Sequence, residues 1–189
     1  IYDEHIFMFS ASSVQKICLL FDMELIDILK QETHGGSLRY VCARKNVYKI
    51  KINVNYFIDK EKKNNLDNVH SCFEFKKNCE NSKKNLKEKL LKLKEDNKKI
   101  CGYAATSKST TILNYCNIGT EIIDFICDTT PEKIGKFSPG MHIPIKPINY
   151  FHENYPDIAF LFAWNHKEEI FEKEKEFSQK GKWVAHVEL

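Results

Sequence analysis

The first apolar rhythm along the chain is helical. In SASSVQKICLLFD, the residues Val14, Ile17, Cys18 and Phe21 recur at helical spacing behind serines suited to capping, which predicts a short helix. MELIDILKQET then alternates in part, SLRYVCARK is rich in β-formers, and His34-Gly35-Gly36 joins them as a turn. The expectation is a helix followed by two adjacent antiparallel strands. From Tyr56 to Asp96 the chain shifts to lysine, asparagine and glutamate. Cys72, Cys79, Leu86 and Leu93 still recur every seventh residue, with Phe73 and Leu90 assigned to the same stripe. That spacing predicts a long amphipathic helix. A lysine face could also serve as a nucleic-acid arm, but the interleaved Glu74, Glu80, Glu88 and Glu95 favour a solvated bridging helix.

After Lys98 the rhythm becomes strand, helix, strand: KICGYAA, STTILNYC, IIDFICD. A loop rich in proline and glycine follows (TTPEKIGKFSPGMHIPIKP). Then come a strand IAFLFAW, a helix HKEEIFEKEKEFSQKG and a strand KWVAHVEL. Continuous apolar strands alternating with helices imply a parallel sheet covered on both faces. The predicted class is α/β, with a Rossmann-like parallel sheet and flanking helices.

Composition narrows the function more than the fold. With 42% apolar and 12% aromatic residues among 189, the chain can build a core. Its net charge of +3, from 29 basic and 26 acidic residues, gives no argument for nucleic acid. The longest apolar run, PDIAFLFAW, is a strand's worth, so neither a membrane span nor a signal peptide is expected. Seven scattered cysteines contain no Cys-x-x-Cys pair, so no metal is expected. Most lie in apolar segments, as reduced thiols do, which points to a reducing, cytoplasmic setting. The chain opens on Ile1 at IYDEH, and the expectation is the rear part of something longer.

The candidate chemistry centres on CGYAATSKSTTILNYC, Cys101 to Cys116, which reads as a strand end, a hydroxyl-rich turn and a helix start. Helix N-termini attract anions, because their first amides are unpaired and the dipole is positive there. Thr106, Ser107, Ser109 and Thr110 add hydroxyls and Lys108 a full charge, a set that suits a phosphate or diphosphate. Plain N-capping by threonine and serine fits the same spacing equally well. Ala104 and Ala105 stand where the later glycines of G-x-G-x-x-G would be, which disfavours a dinucleotide site and an NAD-type oxidoreductase fragment. Asp128 ends the next strand, where an acid could meet a ribose hydroxyl or simply serve the turn into Thr129-Thr130-Pro131. His142 in PGMHIPI is expected beside the same sheet edge. FAWNH ends another strand with Trp164, Asn165 and His166. Singly, each histidine reads as a surface or capping residue. Three strand ends with polar groups on one edge point to a site.

Five stretches in order, IYDEHIFMFSASSVQ, THGGSLRY, GYAATSKSTTILNYC, DTTPEKIGKFSPGMHIPI and PDIAFLFAWNHKEEI, resemble the sugar C-methyltransferases. More narrowly, they resemble the nucleotide-diphosphosugar C-3-methyltransferases of deoxysugar biosynthesis. The resemblance runs from Ile1 to Leu189 and is weakest across the lysine-rich helix. Members of that family carry an N-terminal zinc-binding motif, a domain for S-adenosylmethionine and a C-terminal Rossmann-like domain for the nucleotide sugar. The resemblance therefore implies that residues 1–48 are the tail of the S-adenosylmethionine domain, as a helix plus β-hairpin. It makes 49–96 a helical connector and 97–189 the nucleotide-sugar-binding domain. The zinc cysteines and the glycine-rich cofactor loop are absent from this sequence. The expected partners are a nucleotide-diphosphate sugar and the missing N-terminal cofactor and zinc domains, and the S-adenosylmethionine site is expected mostly outside this chain.

The resemblance also implies a reaction, methyl transfer to carbon 3 of a 4-keto sugar. The ketone acidifies that C–H by delocalising the carbanion onto oxygen, so a histidine suffices as base. His5 carries the family's presumed base, Tyr2 can hydrogen-bond the sugar or the enolate oxygen, and Glu4 can contact the sugar or orient the imidazole. On its own, YDEH reads as an acidic turn. His34 could reach the same cavity, although a turn role is favoured. The expected substrate-binding set is Thr106, Ser107, Lys108, Ser109, Asp128, His142 and Asn165. The alternative is a non-catalytic nucleotide or nucleotide-sugar binding module.

Overall fold

Two units emerge from the internal packing of the chain, Ile1–Lys77 and Asn78–Leu189. The structure, a computed structural model, describes residues 7–33 and 36–188. In the first unit, α1 (Ala11–Leu20) precedes the antiparallel pair β1 (Met23–Gln31) and β2 (Ser37–Arg44), the helix and hairpin expected from the pattern. Ser10 and Ser13 form a capping box, and the Glu61 carboxylate accepts from the Ala11 and Ser12 amides at 2.6 and 2.9 Å. An acid at that end is favoured by the exposed amides and the helix dipole. Leu25 and Ile28 of β1 pack with Val54, Phe57 and Ile58 of α2 (Ile52–Lys63).

The long helix expected from Tyr56 to Asp96 is interrupted. Asn65 takes a left-handed φ of 52°, as asparagine does readily, and the chain resumes as α3 (Val69–Glu95). In the second unit, Leu86 and Leu90 are buried and Leu93 packs beside them. Phe73 is 63% exposed and does not belong to that stripe. At about 100° per residue it lies about 100° around the helix from Leu90.

The second unit is built on five parallel strands in the order β5-β4-β3-β6-β7. These are β3 (Ile100–Tyr103), β4 (Ile126–Asp128), β5 (Ile145–Pro147), β6 (Ile158–Leu161) and β7 (Lys182–Val184). Helices α3 and α4 (Ser107–Cys116) cover one face through Leu86, Leu90 and Leu113. Phe151 of α5 (Ile148–Glu153), Ile170 of α6 (Lys167–Lys173) and Phe177 of α7 (Lys175–Lys180) cover the other. The α/β class and Rossmann-like parallel sheet with flanking helices are therefore as expected. Among the described residues, no helix is long and apolar enough to cross a membrane.

The strand order places the reversal of direction at β3 and β6. From β3 the chain crosses through α4 to β4 on one side, and from β6 it crosses through α6 and α7 to β7 on the other. The loops leaving these two neighbours diverge, which opens a crevice at their carboxyl ends, the usual ligand position in open α/β sheets.

Candidate functional site

The single glycine of the central turn serves packing. A Cβ on Gly102 would sit 2.6 Å from Phe162 and 3.0 Å from Ile126, so the strand approaches its neighbours too closely for any side chain there. The turn itself begins at Ala104, whose φ of 72° lies in the left-handed region that an alanine enters only at a cost of about 1–2 kcal/mol. The Ala104 amide donates to the Cys127 carbonyl at 2.9 Å and the Thr106 amide to the Ala104 carbonyl at 3.0 Å, which hold this conformation. Such strain persists where the surroundings over-determine it, often at functional sites.

Thr106 is the N-cap of α4, its hydroxyl accepting from the Ser109 amide at 3.2 Å. Ser109 is buried and its Oγ donates to the Thr106 carbonyl at 2.6 Å. Both hydroxyls are thus engaged in the cap. The capping alternative holds for these two, while the first amides of α4, the exposed Ser107 and Lys108 remain for a ligand. Ser109→Ala is expected to lower stability by about 0.5–1.5 kcal/mol, the worth of one such hydrogen bond, with anion affinity unchanged. Thermal unfolding alongside a nucleotide titration checks both halves.

Lys108 reaches across the crevice. Its Nζ donates to Asn165 Oδ1 at 3.1 Å, joining the helix after β3 to the loop after β6. A groove of about 430 Å³ lies along the turn, lined by Thr106, Ser107, Lys133 and Ser138 among others. Another of about 630 Å³ is lined by Trp164, Asn165, His166 and Val187. A larger hollow of about 690 Å³, bordered by Lys99, Asp124 and Tyr155, lies at the opposite edge, among residues that precede the strands.

Asp128 sits at the end of β4 and points back into the turn. Its carboxylate accepts from the Ala105 amide at 2.7 Å and the Thr130 amide at 2.8 Å, and Lys133 stands 3.5 Å away. Burial works to raise this carboxyl, but hydrogen bonds from Thr130 and Ala105, with the Lys133 charge, hold it below its ordinary value. The Lys133 Nζ also donates to the Ala105 carbonyl at 2.8 Å. Asp128 and Lys133 therefore clamp the turn that presents Ser107 and Lys108.

His142 is not brought to this edge. It lies in the connection before β5, and the Pro139 carbonyl of that connection accepts from Asn114 near the far end of α4, at 2.9 Å. The proline-held loop folds back as a tight hairpin, with Ser138 donating to Ile143 at 2.8 Å, and this carries His142 away from the carboxyl ends. Tyr2, Glu4, His5 and His34 lie outside the described residues.

The pattern missed two further groups. Glu174 separates α6 from α7 and is buried; its carboxylate accepts from Tyr103 Oη at 2.8 Å and meets His152 Nε2 at 2.8 Å. His186, in the turn after β7, has a buried Nδ1 with no hydrogen-bond partner among the described residues. A glutamate in a run of charged residues carries no mark of burial, and a histidine after a strand carries none of isolation.

Comparison with known proteins fits this architecture. C-methyltransferase NovU of Streptomyces niveus is 30% identical over 185 residues, covering 96% of this chain and 43% of the relative. The chain thus spans less than half the length of the curated relative it matches. The family described as C-methyltransferase C-terminal domain matches residues 32–187, most of the chain and the whole five-stranded sheet with its crevice. The chain belongs to the C-methyltransferase C-terminal domain family.

Proposed function

We propose that this chain is the part of a sugar C-methyltransferase that holds the nucleotide-diphosphate sugar, with the diphosphate at Ser107, Lys108 and the open end of α4. The observation that supports this most directly is the Lys108–Asn165 contact of 3.1 Å across the switch point of the sheet. A full positive charge, a polar amide and unpaired helix amides converge there, and each favours an anion. The sugar would extend from the diphosphate toward the rest of a longer enzyme. In this proposal His5 takes the carbon 3 proton of a 4-keto sugar and leaves an enolate, Tyr2 hydrogen-bonds the sugar or the enolate oxygen, and Glu4 contacts the sugar or orients the imidazole.

The methyl donor fits elsewhere. S-adenosylmethionine carries a sulfonium cation, and the crevice presents Lys108 and the positive end of α4, which suit the opposite charge. In this reading the cofactor site belongs to the larger protein, and the residues described here bind and orient the sugar substrate. The competing reading is a nucleotide-sugar binding module without catalysis, which the same positive crevice would serve. Methyl transfer by a longer protein carrying this chain separates the two.

Lys108→Ala is expected to weaken nucleotide-diphosphate binding by about 1.5–3 kcal/mol, roughly one to two orders of magnitude, because it removes a charge-assisted contact. The loss should shrink as salt rises, since Lys108 is only partly buried and its charge is screened. Calorimetric titration at low and high salt measures both effects. Unchanged affinity at low salt would reduce the turn to a capped helix start.

A further inference from the structure

A fourth strand end on this edge, that of β7, contributes a group that the sequence does not single out. His186 follows β7 by way of the buried Ala185, and its neighbour Val187 lines the same hollow as Asn165. Its Nδ1 is buried and has no hydrogen-bond partner among the described residues. Such an orphan costs about 1–3 kcal/mol and calls for an explanation. Burial first, and then the Lys108 charge, push this imidazole below its ordinary value, so near neutrality the ring is uncharged. A ligand that supplies both a hydrogen-bond acceptor and negative charge would resolve the orphaned atom and the repulsion together.

We propose that His186 is a further contact for the phosphates of the bound ligand, donating to a phosphate oxygen once the anion lies beside Lys108. This rests on the nucleotide-diphosphate reading given above. The ring is only partly buried, and a half-turn about χ2 exchanges Nδ1 with Cδ2, which brings the nitrogen to the other edge. Phosphate charge then stabilises the imidazolium that Lys108 disfavours in the free protein. Binding therefore takes up a proton at His186. The charged group that lowers it is Lys108 from α4, while His166, Lys167, Glu168 and Glu169 border the adjoining hollow after β6.

The sign follows from linkage. The imidazole releases its proton more easily in the free protein than in the complex, so affinity rises as pH falls through the window between the two values. One unit of difference corresponds to about a tenfold change in affinity. The probes are UDP-, GDP- and dTDP-glucose, whose diphosphate bridges stay fully ionised across this range, titrated into the chain between about pH 8 and pH 6. The expected result is about tenfold tighter binding at the lower pH for the best of the three, with proton uptake in buffers of different ionisation enthalpy. His186→Gln, which keeps a polar side chain, should remove both the pH dependence and the proton uptake, whereas His166→Gln should retain them. Binding that depends on Lys108 but ignores pH, or a pH dependence that survives His186→Gln, overturns this inference alone. If none of the three sugars binds the unmodified chain, the diphosphate site and this inference fall together.

Discussion

Glu174→Ala is expected to destabilise the protein by about 3–5 kcal/mol, combining about 1–3 kcal/mol for an orphaned buried hydroxyl with about 2 kcal/mol for the cavity left by truncation. Two consequences of the truncation lead there. The Tyr103 hydroxyl, buried and now donating to Glu174 Oε1 at 2.8 Å, would lose its acceptor, and His152 Nε2 would lose the partner it meets at 2.8 Å. The deleted side chain would also leave a void beside a dense aromatic cluster. Phe151 is fully buried there, with ring centroids 5.4 Å from Tyr103, 5.0 Å from Phe177 and 6.4 Å from Trp183. Such a cluster tolerates a void poorly, because close-packed surroundings relax only in part. At about 2–4 °C per kcal/mol for a chain of this size, the thermal midpoint should fall by roughly 6–20 °C. Glu174→Gln keeps the volume and an acceptor for Tyr103, so its loss should be clearly smaller. Equal midpoints for the two variants would show that the carboxylate itself, and neither packing nor the Tyr103 hydrogen bond, makes Glu174 matter.

The same contact predicts behaviour at high pH. Burial and the hydrogen bond to Glu174 raise the Tyr103 phenol well above its ordinary value of about 10. The folded state therefore holds the phenol proton more tightly than the unfolded chain does. Stability from this group is complete below about pH 10 and declines progressively above it. Tyr103→Phe should flatten that decline in alkaline unfolding curves. Tyr103 is the last residue of β3, one position before the strained Ala104, so the network also anchors the strand end that aims the candidate site.

Long elements with a clear period were legible in the sequence; features created by tertiary contact were not. Helix α4, strands β3 and β6, and the β1–β2 hairpin follow from apolar spacing, because each buries a face that its pattern announces. Strand β5 is three residues long and is flanked and ended by Pro144 and Pro147, so it reads as part of a loop. The break between α6 and α7 has no local signal, since Glu174 turns inward only for Tyr103 and His152. The candidate site divides along the same line. Strand-end position alone points to Lys108 and Asn165, and they meet. The proline-held loop suggests the same edge for His142, but the direction of the loop depends on a hairpin closed by the Ser138–Ile143 pair and a contact with Asn114. His186 depends on burial that only the folded sheet creates.

In a longer protein carrying this chain together with a methyl-donor domain, His5→Ala is expected to lower methyl transfer by about 10²–10⁴-fold, the usual contribution of a general base. In the reaction proposed for this family member, the carbon 3 proton must leave before or as the new C–C bond forms, and its electrons pass to the ketone oxygen as an enolate. On the proposed mechanism the His5 imidazole would take that proton, and alanine would leave only water to do so. Affinity for the nucleotide sugar should be nearly unchanged, because the proposed binding contacts are Lys108, Ser107 and the end of α4, in the other unit. Deprotonation can be read apart from methylation by following exchange of the carbon 3 hydrogen in deuterated water. His5→Ala should abolish this exchange, whereas Tyr2→Phe should slow it by weakening the hydrogen bond to the enolate oxygen. Lys108→Ala should raise the sugar concentration needed for exchange yet leave its limiting rate near wild type. Exchange at the wild-type rate in His5→Ala would move the base elsewhere, and Glu4 would be the next residue to replace.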